Sequence, residues 1–489
     1  MAATETKHLN YIDGRFVEAE GGKTLEVRNP ATGAVVADAP DSSVQDACLA
    51  IEAAKRAQPA WARLTAAERA TCLHKVAAGL RRDADRLSRL MSAEQGKPVA
   101  QALGETYGTA DYFDYTAEWA RRIEGEVIQS DRPHEFMFLD RQPIGVVTGI
   151  VPWNFPLALM ARKVAPALIT GNAIVIKPSE LTPLSTLAVG QIFAESGVPS
   201  GVVNLICGYG QTVGEELARN TDVGMVSVTG SVRTGIRVMQ LAAPNLTKVG
   251  LELGGNAPAI VMPDANLDQA VTLIKKLRIA NTGQVCGAPD RVYVHHRIAD
   301  EFTDKFAKAM SEARYGNALV DGDVDLGPLI NAAQLARVEK LVDETAAAGA
   351  TILTGGSRAA DRPEGYFYPA TVLADCRQDM PAVKAEKFAP VMPIVVVNDF
   401  DEAIAYANDS DYGLASSIFT QDVNLIMRAV HELHCGETYV NQENQEILQG
   451  FHAGWRKSGI GGDDGKHGVL EFTNTHVVYL NYDPTTNPA

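Results

Sequence analysis

From residue 146 onward the chain alternates short apolar runs with amphipathic stretches. The runs are Val146-Val147, Ala173-Ile-Val-Ile176, Val202-Val-Asn-Leu-Ile206, Met225-Val-Ser-Val228 and Val249-Gly-Leu251, and helical patterns fill residues 184–193 and 232–241 between them. Successive runs lie roughly 20 to 30 residues apart, the span of strand, crossover helix and strand, so they predict a parallel sheet covered on both faces. A second series follows, with Ala259-Ile-Val-Met262, Arg291-Val-Tyr-Val294, Ala370-Thr-Val-Leu373 and Pro393-Ile-Val-Val-Val397 alternating with helical stretches such as residues 299–313. The expected fold is α/β: two doubly wound parallel-sheet units in tandem, with ligands beyond the strand C-termini and a cleft between the units. Ahead of both, Tyr11-Ile-Asp-Gly-Arg-Phe16 reads as a short β start, and the remaining first third reads as packing helices. Thr65-Ala-Ala-Glu68 has the capping-box pattern, and Gly96-Lys-Pro98 stops a later helix.

Composition narrows the function. A chain of 489 residues holds material for about three domains. Its 44 Lys plus Arg against 60 Asp plus Glu give a net charge of −16, which repels phosphate backbones and anionic lipid surfaces, so neither nucleic acid nor membrane is an expected partner. No apolar run approaches the roughly 20 residues of a membrane span, and the start lacks the apolar core of a signal peptide. The six cysteines are scattered, with no C-x-x-C pair, which suits a reducing cytoplasm.

Polar motifs follow the predicted strands directly: Pro152-Trp-Asn-Phe-Pro156, Lys177-Pro-Ser-Glu180 and Thr229-Gly-Ser231, then Glu252-Leu-Gly-Gly-Asn256 and Gly283-Gln-Val-Cys286. Each alone carries little. A lone cysteine is most often a small buried apolar side chain, the expected state of the other five here. Glu252 could be a surface ion-pair partner, and an Asn before Phe-Pro can simply hold a turn. Taken in order, and with Tyr11-Ile-Asp-Gly near one end and Val477-Val-Tyr-Leu480 near the other, the set closely resembles the aldehyde dehydrogenase superfamily over nearly the whole chain.

That resemblance implies specific roles. Cys286 would be the nucleophile, its thiolate adding to an aldehyde carbonyl to give a thiohemiacetal and, after hydride loss to nicotinamide, a thioester. Asn154 and the Cys286 backbone N–H would form the oxyanion hole, Glu252 would activate water to hydrolyse the thioester, and Lys163 would lie near the proton exit. The family's acidic partner there appears as Asp463, a shorter side chain, for which a bridging water or a slower relay is expected. NAD is the implied cofactor. Lys177 and Glu180 would hold the adenosine ribose, and a carboxylate at that point favours NAD over NADP by repelling a 2′-phosphate. Ser231, with Thr229 and Gly230, would meet the pyrophosphate at a helix N-terminus. Glu386 and Phe388 would contact the nicotinamide ribose, and Val151, Pro152, Trp153, Ser179, Gly210, Gly214, Leu253 and Arg337 complete the implied cofactor set. Gly208-Tyr-Gly210-Gln-Thr-Val-Gly214 has one residue too many for the dinucleotide fingerprint and reads as a close-packing glycine turn.

Within the superfamily, Leu159-Met-Ala-Arg-Lys163, Gly436-Glu-Thr-Tyr-Val-Asn441 and Gln449-Gly-Phe-His-Ala-Gly-Trp-Arg-Lys-Ser458 are similar to the bacterial lactaldehyde and glycolaldehyde dehydrogenases. In that comparison Arg162, Glu446 and His452 face a short hydroxylated aldehyde. The implied reaction is NAD-dependent oxidation of such an aldehyde to its acid. Gly287 departs from an Asn in those relatives, and succinate semialdehyde is the competing substrate, because Arg162 could hold a distal carboxylate. A catalytically silent nucleotide-binding protein and acyl transfer to coenzyme A are more distant readings. No metal site is expected: His431-Glu-Leu-His434-Cys435 is not H-E-x-x-H, and Gly465-Lys466 lacks the Walker glycine. The implied organisation is a Rossmann-like NAD-binding domain over 1–124 and 144–254, a catalytic domain over 255–442, a segment over 443–472 returning to the cleft, and a β oligomerisation arm over 125–143 and 473–489. A homodimer or homotetramer is implied.

Overall fold

The computed structural model describes residues 8–485. The five runs of the first series form the strands Val146–Ile150, Ala173–Lys177, Val203–Leu205, Met225–Thr229 and Lys248–Glu252, all mutually parallel. Their spatial order is Lys248–Glu252, Met225–Thr229, Val146–Ile150, Ala173–Lys177, Val203–Leu205. The order reverses at Val146–Ile150, so the crevice that a doubly wound sheet offers to ligands opens at the C-terminal ends of that strand and Met225–Thr229. Two antiparallel additions extend this sheet to eight strands. The hairpin Asn10–Ile12 and Arg15–Val17 closes one edge, and Gly459–Ile460, arriving from far along the chain, pairs Leu251 and Glu252 at the other.

The second series forms a seven-stranded sheet in the order Thr351–Thr354, Thr371–Cys376, Val391–Val397, Pro289–His295, Ala257–Val261, Ala415–Phe419 and Glu437–Val440, parallel except at Thr351–Thr354. Three of these strands, Thr351–Thr354, Ala415–Phe419 and Glu437–Val440, are not announced by apolar runs. In Ala415–Phe419 the fully buried Ser416 and Ser417 interrupt the hydrophobic signal. Four helices, Val44–Arg63, Ala66–Arg82, Ala84–Gln95 and Val99–Ala117, supply the early packing layer. Leu73, Val76 and Leu80 are wholly buried on one face of Ala66–Arg82. The capping box is real: Thr65 N donates to Glu68 Oε2 at 2.7 Å while Glu68 N donates to Thr65 Oγ1 at 3.3 Å. Gly96 ends the third helix at φ 90°, where a Cβ would meet Pro328 Cγ at 2.6 Å.

A separate three-stranded sheet joins Thr473–Asn481 to Glu135–Pro143, and Glu135–Pro143 to Glu126–Ile128, all antiparallel. It leaves Val127 75% and Tyr479 63% exposed. No helix among the described residues is long and apolar enough to cross a membrane.

Candidate active site

Cys286 stands just beyond an unusual turn. Asn281, Thr282 and Gly283 carry φ values of 47°, 59° and 73°, three left-handed residues in succession, two of them bearing side chains. Such a backbone costs energy and persists only where its surroundings over-determine it. Here Thr282 Oγ1 donates to Gly327 O at 3.0 Å, Gln101 Oε1 accepts from Asn281 N at 2.8 Å, and the buried Arg278 holds Gly283 O. A Cβ on Gly283 would meet Ala389 O at 2.3 Å, and one on Gly255 would meet Cys286 O at 2.6 Å, so two glycines let the turn settle against neighbouring backbone. Beside Cys286, by contrast, a Cβ on Gly287 would have only Ala415 Cβ, at 3.9 Å, for company. The space that a larger side chain could fill is open.

Asn154 is buried at the entry to the helix Pro156–Ile169, and its Nδ2 donates to Gln284 O at 3.0 Å, two residues before Cys286. Its backbone oxygen accepts from Lys97 Nζ at 2.6 Å and from Asn281 Nδ2 at 2.8 Å. Lys97 in turn pairs with Glu105 at 2.5 Å, and Glu105 Oε1 takes the N–H groups of Leu157 and Ala158 at 3.0 and 3.2 Å. One buried ion pair thus pins both the Asn154 backbone and the first turn of its helix. Lys97 belongs to the Gly96-Lys-Pro98 segment, whose sequence announces only a helix stop.

Glu252 ends the strand Lys248–Glu252, and its carboxylate is buried, with Oε2 lacking any hydrogen-bond partner. Its Oε1 lies 3.3 Å from His452 Nε2, and His452 Nδ1 lies 3.0 Å from Glu437 Oε1. Ligand-capable atoms of Glu252, Cys286 and His452 all fall within 4.8 Å of one another. Burial first, then the charge of Glu252, pushes the Cys286 thiol up to about 12, and His452 pulls against both. Burial alone would depress the His452 imidazole, but its contacts with Cys286, Glu252 and Glu437 outweigh that and hold it well above the usual histidine value. Arg162 Nη2 meets Glu446 Oε1 at 2.7 Å and Asp464 Oδ2 at 2.9 Å. Burial would raise the Glu446 carboxyl, yet Arg162 and then His452 hold it at about 2. Asp464, absent from the sequence reading, is almost fully buried at φ 67°, and burial lifts its carboxyl to about 6.

Lys163 Nζ meets Asp463 Oδ2 directly at 2.6 Å, both side chains buried. The expected bridging water is therefore unnecessary: Asp463 forms a two-bond backbone bridge with His452, which carries its shorter side chain inward to the lysine. Of the five other cysteines, Cys207 and Cys376 are buried as expected, whereas Cys48, Cys72 and Cys435 are half-buried.

The residues assigned to the cofactor line the C-terminal edge of the first sheet. Lys177 Nζ donates to Pro178 O at 2.9 Å and approaches Glu180 Oε2 at 3.4 Å, while Ser179 Oγ accepts from Leu181 N at 3.2 Å. Val151 N donates to Lys177 O at 3.1 Å, and Trp153 O accepts from Thr182 Oγ1 at 3.2 Å. Gly210–Gly214 is a π-helical turn. The close packing expected of this turn occurs at Gly208, where a Cβ would strike Val213 Cγ2 at 2.6 Å; Gly210 faces open space and Gly214 has ordinary contact with Lys177. Thr229 Oγ1 is buried without a partner, and beside it Gly230 leads into Ser231, which caps the helix Val232–Ala242 through Thr234 N at 3.2 Å. Leu253 packs against that helix, where a Cβ on Gly235 would meet it at 2.6 Å. From the loop before Val391–Val397 of the second sheet, Glu386 Oε1 accepts from Gly255 N at 3.0 Å and burial raises its carboxyl to about 7. Phe388 meets Trp153 edge to face at 5.4 Å. Arg337 engages the carbonyls of Glu386 and Lys387, so it acts on the loop that carries Glu386. An unpartnered threonine hydroxyl, a helix start beside it and an open glycine turn along one edge of the sheet fit a dinucleotide.

The family model described as the aldehyde dehydrogenase family matches residues 16–478. Lactaldehyde dehydrogenase of Escherichia coli (strain K12) is 53% identical over 97% of this chain and 98% of its own; a crystal structure of lactaldehyde dehydrogenase from Escherichia coli superposes with a TM-score of 0.96 over 97% and 99%. The NADP-dependent D-glyceraldehyde dehydrogenase of Picrophilus torridus is 38% identical over 96% of each chain. A betaine aldehyde dehydrogenase from Staphylococcus aureus, solved in complex with NAD+, is 34% identical with a TM-score of 0.95 over 99% and 96%.

Proposed function

The chain belongs to the aldehyde dehydrogenase family, enzymes that oxidise aldehydes to acids with NAD or NADP, and from that premise we propose that it oxidises a short 2-hydroxyaldehyde of the lactaldehyde and glycolaldehyde type, with NAD preferred. The observation that carries the substrate class is the half-buried Arg162–Glu446 pair together with the buried His452, whose imidazole lies beside Cys286. A guanidinium, a carboxylate and an imidazole can satisfy a hydroxyl that an apolar pocket would leave unpaired. The 53% identity to lactaldehyde dehydrogenase supports the same reading.

In this mechanism Cys286 releases its thiol proton to solvent and attacks the aldehyde carbon as the thiolate, and the developing oxyanion is held by Asn154 Nδ2 and the Cys286 N–H. NAD, when bound, supplies the hydride acceptor that turns the thiohemiacetal into a thioester. Glu252 then takes a proton from water, which attacks the thioester carbonyl, and the acid leaves. His452 steadies Glu252, while the Lys163–Asp463 pair lies behind the base, where the spare proton must travel. The residues proposed for the cofactor are Val151, Pro152, Trp153, Lys177, Ser179, Glu180, Gly210, Gly214, Thr229, Gly230, Ser231, Leu253, Glu386 and Phe388, with Arg337 acting through the Glu386 loop. The NAD-binding, catalytic and arm boundaries given by the sequence, a cytoplasmic location and a dimer or tetramer paired through Thr473–Asn481 belong to the same proposal.

A panel of aldehydes assayed with NAD and NADP tests it. Glycolaldehyde and lactaldehyde should give the highest kcat/KM. A tenfold preference for succinate semialdehyde, which the open space at Gly287 would accommodate, would replace the substrate reading.

A further inference from the structure

Glu252, Cys286 and His452 present a carboxylate oxygen, a sulfur and an imidazole nitrogen within 4.8 Å of one another, the only such trio of metal-ligand types among the described residues. Those are the ligand types of zinc. The Glu252 Oε1 to His452 Nε2 separation of 3.3 Å is the edge of a tetrahedron whose centre lies about 2.0–2.1 Å from each ligand. Glu252 Oε2 is buried and unpartnered, so the carboxylate can turn either oxygen toward an ion without breaking another bond. Glu437 Oε1, 3.0 Å from His452 Nδ1, supplies the outer carboxylate that orients a metal-bound imidazole and leaves Nε2 for the metal. The charges around the trio favour a cation: Glu437, Glu446, Asp463 and Asp464 surround it, against Arg162 and Lys163.

The other histidine-cysteine cluster does not compete. His434 Nδ1 is taken by Arg456 at 2.7 Å, and Cys435 Sγ lies against Ser416 Oγ at 3.0 Å.

We propose that Glu252, Cys286 and His452 form a reversible inhibitory site for Zn²⁺, with the fourth position open on the substrate side. As the S–Zn and N–Zn bonds form, the thiol proton and the imidazolium proton on His452 Nε2 both pass to solvent, and no electron is transferred. Nucleophile and base are then both occupied. The inhibitory consequence rests on the proposed aldehyde oxidation; the binding site itself does not.

The test titrates Zn²⁺ into the intact protein while following three signals: heat of binding, iodoacetamide labelling of Cys286, and NADH formation from glycolaldehyde. One Zn²⁺ per chain should bind, slow Cys286 labelling by more than tenfold, and stop NADH formation until EDTA is added. His452→Gln and Cys286→Ser should each lose that ion, and Glu437→Gln should weaken it by about 10–100-fold. Unchanged stoichiometry in both ligand variants would overturn the site. So would unprotected labelling at saturating Zn²⁺, a result that needs no variant to fold. Protection without any aldehyde oxidation would sink the proposed function and leave the site standing, whereas oxidation untouched by bound Zn²⁺ would sink the inhibitory site and leave the function standing.

Discussion

Lys97 Nζ donates to the backbone oxygen of Asn154 at 2.6 Å, from a position with no solvent access. The side chain proposed to stabilise the oxyanion is therefore held from behind by a buried charge. Removing one partner of a buried ion pair leaves the other uncompensated, at a cost of about 3–5 kcal/mol. Lys97→Met should lower the unfolding free energy read from a urea titration by that amount, and it should reduce kcat more than it raises KM because Asn154 loses its anchor. A variant with normal stability and turnover would show that the pair does not position Asn154.

Asn154→Ala removes the side-chain donor proposed for the oxyanion hole while leaving the Cys286 turn held by Asn281, Thr282 and Arg278. A single preorganised donor of this kind is worth about 10²–10³ in rate. Turnover should drop by that factor, while iodoacetamide still labels Cys286 at a rate within severalfold of the parent. A parallel loss of labelling would point to a collapsed turn.

Cofactor choice should reside in Glu180, whose carboxylate lies 3.4 Å from Lys177 Nζ at the end of Ala173–Lys177. Glu180→Ala removes the negative charge facing a 2′-phosphate, so kcat/KM with NADP should rise relative to NAD by tenfold or more. An unchanged ratio would move the discrimination elsewhere. NADP-dependent relatives at 38% identity make this comparison informative.

The pH dependence of Cys286 follows from its surroundings. Burial and Glu252 both raise the thiol, to about 12, so its thiolate should still be a minor species and climbing at pH 9, where an ordinary cysteine is already at least half ionised. Labelling of the free protein should rise across that whole range. Glu252→Gln removes the second cause and leaves burial and Glu446 opposed by His452, so the thiol should fall and labelling at pH 8 should quicken. Slower labelling in that variant would reverse the assigned electrostatics.

Much of this was legible in the sequence because parallel strands buried on both faces read as continuous apolar runs, and because Cys286, Glu252 and Asn154 stand in ordered motifs. Signals vanished where burial is polar or partners lie far apart in the chain. Ser416 and Ser417 broke the hydrophobic signature of the strand next to the sheet's edge. Nothing in the sequence marks Lys97, beyond its place in a helix stop, or Glu105, yet both side chains are at least 98% buried because each neutralises the other. Asp464 followed the noticed Asp463 but reaches Arg162 only through a left-handed backbone that no propensity announces. Most telling is His452, which the resemblance assigned to substrate and which the fold also sets against Glu252, 200 residues away in sequence.

The central claim is that Cys286 carries the substrate as a thioester that Glu252 resolves. Acid-quenched mass spectrometry of Glu252→Gln, mixed with glycolaldehyde and NAD, tests it directly. The hydroxyacyl group should accumulate on the Cys286 peptide alongside one NADH per chain, and steady turnover should fall by about 10²–10⁴. An unmodified Cys286 peptide with continuing NADH formation, or an adduct on a different cysteine, would contradict it.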